Sequence, residues 1–132
     1  MVVAIMGLAA GAVVLAVPDS RPRIGEEAER FAARLVRARE EAILTNRAVA
    51  VEATGTGYAF STFDGEQWSP LAEGPFGPET WSEQATVSAP REPVRMVFDP
   101  TGVADPASVT LSADGRSLTV SVDGAGEVRV DD

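Results

Sequence analysis

The side chains of this 132-residue chain that could do chemistry are nearly all carboxylates. Twenty Asp and Glu residues stand beside eleven Arg residues, and the chain has no His and no Cys. That composition removes thiol nucleophiles, disulfides and thiolate metal sites, together with the usual general base near neutral pH. Catalysis by carboxylates would require a close Asp/Glu pair or a bound metal, and no spacing singles out such a pair. We therefore predict that the chain is not an enzyme, with no catalytic residue and no cofactor.

Several of the acidic residues fall where turns are expected. Asp64, Asp114 and Asp123 each directly precede a Gly, a position at which Asp is favoured for backbone reasons alone. The stretch from Asp99 to Asp105 places two carboxylates around loop carbonyls that could hold Ca²⁺, yet it lacks the alternating acids of an EF-hand loop. We predict no metal site and keep calcium binding in this stretch as an alternative.

Charge is distributed unevenly along the chain. Residues 1–50 hold seven Arg and six acidic residues, a net charge of +1, whereas residues 51–132 hold four Arg and fourteen acidic residues, a net charge of −10. The strongly acidic C-terminal part, residues 51–132, repels phosphate groups, so we expect no nucleic acid among the partners of the chain.

The first seventeen residues are apolar without a break. At about 1.5 Å per residue a helix over 1–17 would be about 25 Å long, slightly shorter than a membrane's hydrocarbon core of about 30 Å. Gly7 and Gly11 have the small-xxx-small spacing that lets two helices approach closely. The sequence therefore predicts a shortened transmembrane helix. The residues expected to pack against lipid or other helices are Ile5, Gly7, Leu8, Gly11, Val14 and Leu15.

Residues 18–25 are predicted to form a junction, because Pro18 and Pro22 interrupt helical hydrogen bonding. Arg21, Arg23 and Arg30 lie just beyond the apolar segment. By the positive-inside rule these residues alone would place the head in the cytoplasm, whereas basic residues upstream of Met1 would reverse the topology.

The head, residues 26–132, is predicted to combine a helix with sheets. Apolar residues at three- and four-residue steps indicate an amphipathic helix over 26–47, and alternating patterns with Gly-containing turns indicate antiparallel strands over 48–130. The fold class is therefore α+β. The helix residues expected to pack on the sheet are Phe31, Leu35, Ala38 and Ala42. The predicted strands are Ala48–Ala53, Tyr58–Phe63, Gln84–Ala89, Val94–Phe98, Ser108–Ser112, Ser117–Val122 and Glu127–Val130.

Residues 70–82 have three Pro, two Gly and no periodicity, which is typical of a long surface loop. The loop contains Phe76 and Trp81. Exposed aromatic side chains on a loop could bind a partner, since such residues contribute heavily to interfaces. The alternative is that both rings fold back onto the sheet.

Four segments together resemble the GspH/FimT group of minor pseudopilins, which are type IV pilin-like proteins. The segments are the apolar run, the helix-to-strand stretch around Ala38–Ile43, the stretch VRMVFDPTGVAD at 94–105, and the closing strands SVTLSADGRSLTVSVDGAGEVRV. They cover most of the chain, and 54–93 is its least family-like part. The group's prepilin signal, a basic leader with a cleavage site and an acidic residue soon after it, is absent. We expect that signal upstream of Met1.

The resemblance implies a type IV pilin-like fold, in which a long N-terminal helix, first apolar and then amphipathic, packs on a mostly antiparallel β head. It also implies a minor pseudopilin at the tip of the type II secretion pseudopilus, anchored once in the bacterial inner membrane with its head in the periplasm. The implied partners are other pseudopilins, inner-membrane secretion components and, for a full N-terminus, prepilin peptidase. The alternatives are a FimT-like minor pilin of a type IV pilus, with a possible part in DNA uptake, and a membrane-tethered module that binds a small ligand or calcium.

Overall fold

The computed structural model describes residues 24–83, 85–89 and 92–132. The apolar run 1–17 and its expected packing residues, Ile5 to Leu15, lie outside the described residues. Among the described residues, no helix has the length and the apolar character needed to cross a membrane.

The described chain begins with a 22-residue helix, α1, which runs from Ile24 to Thr45. Two acidic residues occupy its first turn, where the positive end of the helix dipole favours them. The helix begins and ends two residues earlier than predicted. It stops because Asn46 adopts a left-handed conformation with φ 55°, and Arg47 N–H donates back to the carbonyl of Ala42 at 3.3 Å. The buried face consists of Ile24, Ala28, Phe31, Ala32, Leu35, Ala38 and Ala42.

Nine strands follow in the described residues. All seven predicted strands are present, β6 with the predicted bounds and the others with shifts of at most two residues at an end. Two further strands, β3 and β4, escaped prediction. They lack a signal because β3 has only four residues, including Pro70, and β4 has two. The strands are β1 Val49–Ala53, β2 Gly57–Phe63, β3 Trp68–Leu71, β4 Glu79–Thr80, β5 Thr86–Ser88, β6 Val94–Phe98, β7 Ala107–Ala113, β8 Arg116–Val122 and β9 Val128–Asp131.

The strands form two antiparallel sheets. The first has the order β3-β2-β1-β6, with β4 also pairing with β2, and the second has the order β5-β7-β8-β9. Between β7 and β8 the chain reverses in two residues, Asp114 and Gly115, which have φ values of 52° and 77°. Positive φ at both positions suits the twist of a tight hairpin.

The hydrophobic core lies between α1 and the inner faces of both sheets. Its largest fully buried side chains include Phe31 and Leu35 from the helix, Met96 and Phe98 from β6, and Leu111 from β7. Burying each contributes about 1.5–3 kcal/mol relative to exposure in water. The helix packs against strands of both sheets, so one continuous hydrophobic core is shared by the helix and the two sheets. The predicted α+β class is confirmed.

Candidate interaction surfaces

The four helix residues expected to face the sheet lie in the middle of the core. Phe31, Leu35, Ala38 and Ala42 are all fully buried. The two alanines present little bulk, so the C-terminal half of the helix can lie close to the strands beneath it. These side chains hold the head together and leave the opposite helix face open to solvent.

The two aromatic residues of the 70–82 segment are buried. Of the two interpretations that the sequence leaves open, exposure for partner binding is contradicted, because Phe76 is only 6% and Trp81 only 5% accessible. The Trp81 ring packs against the rings of Phe31 and Tyr58, with centroids 5.2 and 4.8 Å apart. Its indole N–H donates to the carbonyl of Thr54 at 2.8 Å, which satisfies its polar atom. The alternative interpretation, in which both rings fold back onto the sheet, is confirmed.

The 70–82 segment is also tied to the helix by polar contacts. The backbone N–H of Ser82 donates to a carboxylate oxygen of Glu27 at 2.7 Å, and Arg34 forms an ion pair with Glu79 at 2.6 Å. Burial raises the pKa of the nearby Tyr58 hydroxyl, an effect that the positive charge of Arg34 partly opposes. The segment is therefore a packed cover over one end of the helix, and its solvent-facing part is polar and rich in Gly and Pro.

The two calcium candidates, Asp99 and Asp105, do not form a shared site. One carboxylate oxygen of Asp99 accepts hydrogen bonds from the backbone N–H groups of Thr101 (2.8 Å) and Val103 (3.2 Å), and from the Thr101 hydroxyl. The Thr101 hydroxyl bond is the main cause that lowers the pKa of Asp99. Asp105 is exposed and does not join this network. Within the described ranges, no group of three or more acidic side chains is arranged to hold a metal ion.

The interpretation of the Asp-Gly pairs as turn residues is confirmed at two positions by the bonds that the carboxylates accept. Asp64 accepts from the backbone N–H groups of Glu66 (2.8 Å) and Gln67 (2.9 Å). Asp123 accepts from those of Ala125 (2.9 Å) and Glu127 (3.0 Å). Each carboxylate accepts hydrogen bonds from backbone N–H groups of its own turn, as expected for Asx-type turns.

Sequence reasoning missed a contact at which one Arg of the helix meets turns from both sheets. The Arg39 side-chain Nε donates to the carbonyl of Gly102 at 3.0 Å. Gly102 lies in the turn after β6, and Gly126 lies in the turn before β9. A Cβ on Gly126 would be 2.0 Å from the Gly102 carbonyl oxygen and 2.7 Å from Arg39 Nε, so only Gly permits this approach.

A sequence signal for this contact does exist. The two turns share the pattern Asp-x-x-Gly, at Asp99–Gly102 and at Asp123–Gly126. In both, the Gly N–H donates to the Asp carbonyl at 2.9 Å and the Gly has a positive φ, 89° and 83°. A repeated Asp-x-x-Gly therefore indicates two turns of equal geometry, although it does not indicate that they touch.

Known proteins share this architecture. A family model described as "Type II transport protein GspH" matches residues 27–126, which include most of the helix and strands β1 to β8. No curated protein sequence matches the chain closely.

Solved structures share the fold at low sequence identity. The minor pseudopilin EpsH from the type II secretion system of Vibrio cholerae has a TM-score of 0.68 and 18% identity, with 81% of this chain and 94% of that chain covered. The solution structure of Escherichia coli GspH has a TM-score of 0.65 and 21% identity, with 79% and 84% covered. The type IV minor pilin FimU from Pseudomonas aeruginosa has a TM-score of 0.63 and 18% identity, with 82% and 87% covered. The shared fold is type IV pilin-like.

Proposed function

Because the chain belongs to the GspH family of pilin-like minor pseudopilins, we propose that it is a minor pseudopilin of a type II secretion system rather than a minor pilin of a type IV pilus. The observation that carries this proposal is the family match over residues 27–126, which includes most of α1, strands β1 to β8 and the two Asp-x-x-Gly turns. In this role the chain is a structural subunit at the tip of the periplasmic pseudopilus and supports export of proteins across the outer membrane.

The architecture suits a subunit that transmits force. The helix packs on strands of both sheets, and Arg39 bonds the helix to the turn that follows β6. A displacement of the helix along its axis would therefore carry the whole head with it. The buried aromatic residues Phe76 and Trp81 fix the 70–82 segment in the same unit.

The N-terminal apolar run completes this role as a membrane anchor. In our proposal residues 1–17 cross the inner membrane once, and the head lies in the periplasm. Other pseudopilins and inner-membrane secretion components are the partners, and prepilin peptidase processes the full N-terminus. Mass spectrometry of the N-terminal peptide from membranes of the source bacterium tests this step. An N-methylated residue at a cleaved terminus is the expected result, and an unprocessed terminus contradicts it.

A deletion strain tests whether the chain serves a type II secretion system or a type IV pilus. We expect loss of the gene to leave folded exoproteins in the periplasm, with surface pili and twitching motility intact, and the full-length gene to restore export. An immunoblot confirms that the complementing protein is present at the wild-type level. Loss of pili with normal export would instead assign the chain to a type IV pilus.

One observation favours that second candidate, namely the fold shared with the minor pilin FimU at a TM-score of 0.63. The DNA-uptake form of this candidate conflicts with the head's net charge of −10 over residues 51–132. Binding to a phosphate backbone needs a cationic surface. Natural transformation of the deletion strain gives the direct measurement, and we expect it to be unchanged.

A further inference from the structure

We propose that a groove between the edge of the first sheet and the outer face of the second binds an extended, basic segment of a partner protein, which pairs as a strand with β6. The groove has a volume of about 860 Å³. This proposal goes beyond the secretion role and does not depend on which machine the chain serves.

The groove exists because the residues of its floor are small. Ser108 on β7 and Ser121 on β8 are register partners on the outer face of the second sheet. Their neighbours Val109 and Val122 are buried in the core, and Val122 also borders the groove at the end of its strand. A ligand in the groove would therefore contact the outer face of the second sheet at Ser108 and Ser121, and it would border the core residues Val94 and Val122.

One wall of the groove is a strand edge with free pairing capacity. Phe63 N–H donates to the Ala48 carbonyl and Thr54 N–H to the Gly57 carbonyl, so even-numbered residues of β1 bond to β2. Odd-numbered residues of β1 then bond to alternate residues of β6, and the backbone N–H and C=O of Arg95 point to the open side. Among the described residues, β6 is the last strand of its sheet. An extended peptide can add to such an edge.

The other wall is acidic. Asp123, Glu127 and Asp131 line it, with Arg129 as the single basic residue among them. The side chain of Arg95 on the opposite wall is already engaged by groups outside the groove. It forms an ion pair with Glu52 at 3.3 Å, and its guanidinium lies 4.6 Å from the ring centroid of Trp68.

These charges define the occupant. Opposite-charge pairing favours Lys or Arg side chains facing the acidic wall, and the uncharged floor of Ser108, Ser121 and Val122 favours small apolar residues between them. The ligand is therefore an extended segment in which basic and small apolar residues alternate.

Binding of a synthetic peptide to the full-length chain in neutral detergent micelles tests the proposal. The probe is a fluorescein-labelled nine-residue peptide of alternating Lys and Val, followed by fluorescence anisotropy. We expect saturable binding that falls at least about tenfold when the Val residues are N-methylated, because methylation removes the N–H groups needed for strand pairing. A peptide with Glu in place of Lys should not bind. Equal affinity of the methylated peptide, or no saturable binding, would overturn the proposal.

Matched variants locate the site. Ser121→Trp fills the floor and should weaken binding at least about tenfold. Its control is Ser117→Trp, which adds the same bulk on the same face of β8 outside the groove and should bind normally. Glu127→Arg should weaken binding about threefold or more, whereas Glu66→Arg, the same charge change in a distant turn, should have little effect. Circular dichroism confirms that each variant is folded.

Two results would reassign the groove. If both Trp variants weaken binding equally, the peptide binds elsewhere and the proposal fails. If the chain self-associates in analytical ultracentrifugation and Ser121→Trp abolishes the association, the occupant is a second copy of the chain and not a basic partner segment.

Discussion

The 70–82 segment and the pair of Asp-x-x-Gly turns both lie against the helix, but they are held there by different physical means. The 70–82 segment is held by large side chains, Phe76 and Trp81, that lose almost all contact with water. The two turns are held by backbone atoms that approach so closely that Gly126 has no room for a Cβ. The comparison shows that one head uses hydrophobic burial on one side and backbone complementarity on the other.

Replacing the main aromatic anchor should have the largest effect. Trp81→Ala removes the ring that packs on Phe31 and Tyr58 and leaves a cavity beneath the 70–82 segment, so we expect about 4 kcal/mol of destabilisation. Thermal unfolding of the micelle-bound chain, followed by circular dichroism, measures it. The matched control is Trp68→Ala, because Trp68 is 39% accessible, and its cost should be clearly smaller. Equal costs would contradict the burial argument.

The glycine of the second turn gives the next largest effect. Gly126→Ala places a Cβ 2.0 Å from the Gly102 carbonyl oxygen at a φ of 83°, and we expect a loss of about 3 kcal/mol. Gly124→Ala in the same turn is the control, since its nearest neighbouring atom would be 4.0 Å away. The same unfolding measurement compares the two. A tolerated Gly126→Ala would show that the turns can separate without cost.

Removing the Arg that joins helix and turn should cost less. Arg39→Met keeps most of the side-chain length but loses the hydrogen bond to the Gly102 carbonyl, so we expect about 1–2 kcal/mol of destabilisation. Arg37→Met changes the same residue type on the exposed side of α1 and should be nearly neutral. A loss of the same size in both variants would mean that charge, rather than the hydrogen bond, is responsible.

The smallest expected effect depends on pH. Hydrogen bonds from Thr101 and Val103 lower the pKa of Asp99 below its ordinary value of 3.8. A carboxyl group with a lowered folded-state pKa stabilises the fold above its unfolded-state pKa, and it loses that contribution as pH falls through the folded-state value. The difference in melting temperature between wild type and Asp99→Asn should therefore be present at pH 7 and shrink below about pH 4. A pH-independent difference would contradict this cause.

The comparison also shows where prediction from sequence succeeds. The helix periodicity located α1 to within two residues, and alternation located seven strands, because both patterns arise from local geometry and one-sided burial. The strands β3 and β4 were missed because short, Pro-containing edge segments carry no alternation. Phe76 and Trp81 were ambiguous, since Gly and Pro nearby indicate a loop while saying nothing of which way its side chains turn.

What the sequence alone determined is therefore the class of fold, the turn role of its Asp-Gly pairs and the resemblance to the GspH family, all of which depend on residues near one another in the chain. Tertiary structure alone decided three other features: that Trp81 lies under the helix, that Arg39 meets Gly102 across 63 residues, and that Ser108 and Ser121 leave a groove beside β6. Each of these depends on how two distant segments are brought together by the packing of the core. No local pattern encodes a distance of that kind.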